Sequence, residues 1–193
     1  MQLRVVFFGS PEFSLPALEA LHARFGLAGV VTQPDRPAGR GRQLTAPPVK
    51  VIADDLSIPI IQPEKLKAPE VFDKITSWQP DLIVVAAYGQ ILHQNILDLP
   101  RFGCLNIHPS LLPRWRGASP IPFALLAGDP VTGVTIMKMD AGMDTGAILS
   151  QELYSILPED NAGALHDRLA LKGADLLLRT IPGYINGQVV PIP

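Results

Sequence analysis

The 193-residue chain holds a single cysteine, Cys104. One thiol excludes a disulfide framework and any cysteine-based zinc cluster, and it fits a reducing compartment. Charge is sparse too: 18% of residues are charged and the formal net charge is −2, so there is no global basic field aimed at nucleic acid. No apolar run approaches the roughly 18 residues that a membrane span needs. The apolar part of Met1–Gly9 is too short for a secretory signal, which leaves the cytoplasm as the expected location. Phosphate-binding motifs are missing as well. The turn after the first apolar run, Gly9-Ser10-Pro11-Glu12-Phe13, lacks the Gly-x-Gly-x-x-Gly that lets a backbone approach a pyrophosphate, and no Gly-Lys-Ser/Thr occurs. The four histidines are scattered and no His-Glu-x-x-His or Gly-x-Ser-x-Gly appears, so neither a metal nor a covalent serine nucleophile is expected.

What is present is an apolar chain (47%) with 20 prolines, about twice the usual share. The length suits one domain with a short appendage. Buried strands are expected at 3–8, 29–32, 58–61, 81–87 and 104–108, with helices between them over 14–25, 49–56, 68–78 and 91–97. That alternation predicts an α/β fold, a Rossmann-like and mostly parallel sheet with helices on both faces. Gln33–Pro48 reads as irregular. A helix follows at 120–127, then strands at 133–139 and 147–154 that return antiparallel. Asp160 is expected to cap a last helix carrying Leu165, Leu169 and Leu176 inward, with Asp175 and Arg179 spaced to pair. Val189–Ile192 reads as a short strand or the start of a linker.

Three segments break the local rules. Asn106 and His108 lie two apart at the end of an otherwise apolar strand, so they share a face. An amide N–H and a protonated imidazole aimed at one point suit a developing oxyanion. The plainer alternative is a structural histidine bonded to a backbone carbonyl. Asp140-Ala141-Gly142-Met143-Asp144-Thr145-Gly146 follows another strand; it is a solvated turn unless Asp144 reaches His108, where it would orient the ring and stabilise the imidazolium. Between them, Ser110–Gly117 is a proline-bounded loop placed to press on such a site. A fourth segment, Pro34–Arg42 followed by Lys50, sets Arg36, Arg40, Arg42 and Lys50 against Asp35, a local positive loop suited to phosphate contacts.

Taken together, Thr32–Arg42, Ala86–Leu92, Asn106–Ala118 and Gly133–Gly146 resemble the formyltransferase domain of the methionyl-tRNA formyltransferase family, in order and spacing across nearly the whole chain. The Asn-x-His, Ser-Leu-Leu-Pro and Asp-Thr-Gly pieces mark the wider group that uses 10-formyltetrahydrofolate; the 33–41 segment discriminates the tRNA enzymes within it. The resemblance implies catalysis by Asn106, His108 and Asp144. It implies folate binding by Tyr88, Gly89, Gln90, Ile91, Leu92, Ser110, Leu111, Leu112, Pro113 and Asp140, and contact with initiator methionyl-tRNA by Arg36, Arg40, Arg42 and Lys50. The co-substrate would be 10-formyltetrahydrofolate with no metal, in a monomer without a membrane. Residues 1–182 would form the formyltransferase domain and 183–193 the start of a linker to a C-terminal domain. Pro109, where many members carry a smaller residue, leans toward the purine-pathway branch. A formyltransferase acting on glycinamide ribonucleotide or an amino-sugar nucleotide, and a non-catalytic folate-binding module, are the alternatives.

Overall fold

Strands buried on both faces read as unbroken apolar runs, and β1 (Val5–Gly9) and β6 (Leu82–Ala86) are buried at every position. The computed structural model describes residues 3–38 and 43–193. They divide into two units, Met1–Cys104 and Leu105–Pro193.

In the first unit a 3₁₀ turn at Glu12–Ser14 leads from β1 into α1 (Leu15–Phe25) and then β2 (Leu27–Val31). β1 pairs in parallel with β2 and with β6, and β2 pairs in parallel with β5 (Ile60–Ile61). The βαβ opening is therefore as expected. Ser14 occupies the N-cap position of α1, yet its hydroxyl donates to the Ala86 carbonyl at 2.6 Å and accepts no bond from the helix amides. The sheet bond wins because Ser14 is fully buried beside the end of β6. Helices α2 (Pro48–Asp55) and α3 (Pro69–Ser77) open on proline, whose missing N–H costs nothing in a first turn. The helix expected from residue 91 is only the short α4 (Gln94–Leu97).

The stretch read as irregular holds a small antiparallel hairpin, β3 (Arg36–Ala38) with β4 (Gln43–Thr45). Strands of three residues, β3 with Pro37 at its centre, carry no usable alternation, so pairing rather than pattern reveals them. Arg40 and Arg42 lie outside the described residues.

In the second unit β7 (Cys104–His108) pairs antiparallel with β8 (Val131–Lys138), and β8 with β9 (Ile148–Ser155). α5 (Pro120–Leu126) precedes β8, and α6 (Ala162–Ile185) closes the chain. Leu165, Leu169 and Leu176 face inward as the periodicity requires. Asn161, not Asp160, caps α6, its side chain accepting from the Ala164 amide. Asp160 is engaged by the Leu157 amide and Arg168. Arg179 pairs with Glu152 on β9 instead of Asp175. Ile192 forms an isolated bridge with Ile148, and α6 itself runs to Ile185. The four parallel strands of the first unit outnumber the three antiparallel ones of the second, and the class is the α/β, mostly parallel, Rossmann-like one.

Candidate active site

β7 sets the site by alternation. Leu105 and Ile107 point into the core, 0% and 2% exposed, while Asn106 and His108 share the opposite face. The buried side is held tightly, because α6 crosses at Gly173, where an added Cβ would lie 2.7 Å from Ile107 Cγ2. In register, His108 stands opposite Thr135 and Asn106 opposite Met137 of β8. The loop after β8 then turns back and brings Asp144 over this strand tip.

Asp144 is the hub. Its Oδ1 accepts from Asn106 Nδ2 at 3.4 Å, and its Oδ2 accepts from the Gly117 amide at 2.8 Å and faces His108 Nδ1 at 3.5 Å. The His108 ring, 4% exposed, places its Nε2 2.8 Å from the Trp115 carbonyl. Both ring nitrogens thus look at oxygen acceptors. The histidine bonded to a backbone carbonyl and the histidine met by a carboxylate are, in this chain, the same residue. Asn106 Nδ2 spends one N–H on Asp144 and keeps a second.

Two loops carry these contacts. In the loop holding Asp144, Asp140 Oδ1 accepts from the Gly142 amide at 2.9 Å and from the Thr145 hydroxyl at 2.7 Å. Asp140 therefore fastens its own loop. Asp144 itself sits at φ +51°. In the loop after β7, Trp115 (φ +59°) and Gly117 (φ +84°) turn the backbone so that one carbonyl and one amide reach the site. Underneath, the Thr135 hydroxyl donates to the Ser110 carbonyl, and Gln151 Nε2 donates to the Leu112 carbonyl and to Thr135 Oγ1. Ser110 is fully buried and its hydroxyl donates to the Arg114 carbonyl at 2.6 Å, so that hydroxyl serves the loop. Asp129 accepts from Arg114 and from Trp115 Nε1, bonds that hold its carboxyl below the usual range. Gln151 and Asp129 carried no motif in the sequence; their roles exist only through the fold.

The remaining candidates lie in the first unit. Ala87 (φ +47°) and Gly89 (φ +85°) bend the backbone after β6. The Tyr88 carbonyl accepts from Gln33 Nε2 at 3.0 Å, and Gln90 accepts from the Leu66 amide at 3.3 Å and donates to the Pro63 carbonyl at 3.1 Å. Tyr88 is 2% exposed, its hydroxyl has no partner among the described residues, and burial pushes its pKa up. Leu92 is buried and Ile91 is 70% exposed.

At the base of the hairpin, Lys50 Nζ contacts both oxygens of Asp35 at 2.9 and 2.8 Å, so its charge is already partnered, while Arg36 is exposed and donates to Gln33 Oε1. Gln62 Nε2 also donates to Asp35 Oδ1 at 2.6 Å, and these bonds, Gln62 first and Lys50 next, hold the Asp35 carboxyl below its ordinary 3.8. A depressed carboxylate contributes stability that is present above its unfolded value and is lost as pH falls through the folded one. The melting temperature of Asp35→Asn should therefore depend less on pH than wild type between about pH 5 and about pH 2. Parallel melting curves for the two proteins would remove Asp35 from the acid response.

Among the described residues no group of three or more His, Cys, Asp or Glu side chains is arranged to hold a metal, and no helix is long and apolar enough to cross a membrane. Chemically, an amide donor, an imidazole and a carboxylate at one strand tip suit an acyl oxygen gaining charge beside an amine losing a proton. Such a set of groups, on a Rossmann-like scaffold, is chemically suited to acyl transfer.

A family model described as formyl transferase matches residues 3–181, and the chain belongs to that family. It is 55% identical over 194 aligned residues to the methionyl-tRNA formyltransferase of Halorhodospira halophila, covering 100% of this chain and 62% of that protein. The chain thus spans about six-tenths of the length of the curated relatives it matches. Among solved structures, phosphoribosylglycinamide formyltransferase from Streptococcus pneumoniae superposes with a TM-score of 0.78 at 22% identity, over 96% of this chain and 99% of that one. The sugar 3N-formyltransferase WlaRD, solved in the presence of dTDP and 5-N-formyl-THF, gives 0.72 at 18% identity, over 100% of this chain and 66% of that one.

Proposed function

We propose that this chain transfers a formyl group from 10-formyltetrahydrofolate to the α-amine of methionyl initiator tRNA, by direct attack of the amine on the formyl carbon. The observation carrying the reading is the Asn106–His108–Asp144 hub on a chain of the formyl transferase family. The Halorhodospira relative, named methionyl-tRNA formyltransferase, supports the choice of acceptor. Asn106 offers its free N–H to the formyl oxygen. His108 adds the Nδ1–H, whose 3.5 Å contact with Asp144 is long enough to be exchanged for a better acceptor. Asp144 orients both donors and, through water, takes the proton leaving the amine; as the bond from the formyl carbon to folate N10 breaks, His108 or water protonates the departing nitrogen. The absence of an activated nucleophile among these three groups favours direct transfer over a covalent intermediate.

The folate donor supplies the formyl group and would be held by the segments Tyr88–Leu92 and Ser110–Pro113 and by the loop that Asp140 fastens. Arg36, Arg40 and Arg42 would meet the phosphates of the acceptor arm, and Lys50 would act indirectly by pairing Asp35. The reading carries with it a cytoplasmic monomer.

The test is transfer of labelled formyl from the folate donor to aminoacylated initiator tRNA, glycinamide ribonucleotide and an amino-sugar nucleotide offered in competition. Label on methionyl-tRNA is the expected result; label confined to a small amine, or none transferred at all, overturns it. Arg40→Ala should lower kcat/KM for tRNA about tenfold, leave binding of a folate analogue unchanged, and reduce the salt dependence by about one phosphate contact. Equal losses for both substrates would argue against a tRNA role for the loop.

A further inference from the structure

We infer that Asp129 is a positioning residue that sets the orientation of His108 through Trp115. It stands between α5 and β8, its amide donating to the Ala124 carbonyl at 3.0 Å. Its carboxylate receives three bonds: Arg114 Nε at 2.9 Å, Arg114 Nη2 at 2.7 Å and Trp115 Nε1 at 2.7 Å. The Asp129 side chain is 14% exposed, whereas Arg114 is 58% exposed. An exposed ion pair alone contributes little, but here the fork also clamps an indole. The Trp115 ring has the Arg114 guanidinium over it, 4.3 Å from its centroid, and stacks with the Phe123 ring, 5.8 Å away and tilted by 14°.

The backbone explains why such a clamp is needed. Trp115 adopts φ +59°, a left-handed conformation that a bulky residue avoids unless its surroundings impose it. That conformation is what turns the Trp115 carbonyl onto His108 Nε2 at 2.8 Å. Ser110 fixes the preceding peptide through the Arg114 carbonyl, so it does not by itself set the direction of the Trp115 carbonyl. Ring and carbonyl share one Cα: holding the indole against Asp129 holds the carbonyl against the imidazole. With Nε2 committed there, Nδ1 is the nitrogen presented to Asp144 and to any reacting group.

This inference rests on His108 being functional, and its test separates the two claims. In the 193-residue chain with ¹⁵N-labelled histidine, the His108 Nε2 proton should give a protected, hydrogen-bonded resonance. Asp129→Ala should raise its solvent exchange at least tenfold. Trp115→Phe, which keeps an aromatic ring beside Phe123 but removes the indole N–H, should do the same. Melting temperatures report folding, and the resonances of His22, His93 and His166 should stay in place. Asp129→Asn, which retains an acceptor for the indole, should restore much of the protection. In formyl transfer, kcat should fall about tenfold in the first two variants with KM for the donor unchanged, and the double variant should be no worse than either single one. An Nε2 resonance unmoved in folded Trp115→Phe overturns the positioning role whatever the reaction is. Undiminished transfer by His108→Gln would instead overturn the proposed function and leave the spectroscopic result standing.

Discussion

Replacing His108 by alanine should slow formyl transfer at least about a hundredfold, the usual cost of removing one donor to a developing oxyanion. Asp144→Ala should fall comparably, because Asn106 Nδ2, His108 Nδ1 and the Gly117 amide all face that carboxylate. The ring of His108 is nearly buried, and its loss strands the Trp115 carbonyl, which costs about 1–3 kcal/mol of stability. His108→Gln separates the effects: an amide can still donate to that carbonyl but cannot act as an imidazolium. Melting curves with pre-steady-state transfer rates make the comparison. Wild-type rates in folded His108→Gln or Asp144→Ala would take the chemistry away from this strand tip.

Gly146→Ala should displace the Asp144 loop without touching a reacting group. A Cβ there would collide with the Lys138 carbonyl and come within 3.2 Å of the Asp140 amide nitrogen, both of them backbone atoms. Backbone on two sides cannot yield as a side chain can. The expected cost is about 2 kcal/mol, a fall of roughly 6 °C in melting temperature for a chain of this size, together with loss of transfer. Gly128→Ala is the control: at φ +67° it adds backbone strain, but its Cβ meets nothing within 4 Å, so transfer should persist. A fully active, fully stable Gly146→Ala protein would show that the loop tolerates a wider turn than its geometry implies.

Much of the frame is legible in the residues. β1 and β6 announce themselves as unbroken apolar runs because burial on both faces leaves no polar alternation. The polar pair at positions 106 and 108 stands out against the buried Leu105 and Ile107 for the same reason. Asp144 is harder to read, since Asp and Gly are ordinary turn residues; it gains meaning only where β8 brings the loop back to β7. The pairing of β3 with β4 is invisible because strands of three residues have no period to detect. Choosing between Asp160 and Asn161 as a cap turns on one residue of phase, which Arg168 decides by engaging Asp160.

Composition and local pattern by themselves determined that this chain folds as an alternating α/β protein without disulfides, and that an amide and an imidazole share one strand tip. These follow from short-range physics: burial, periodicity and the placement of polar groups where apolar ones belong. Which groups those side chains meet was decided by tertiary structure alone. The Trp115 carbonyl and the Gly117 amide reach the site through turns with positive φ, and the Asp129 carboxylate bears on it through Trp115, in contacts 7 to 27 residues apart. Partners at that separation are set by how strands pair and loops return, and no local pattern encodes the distance between them.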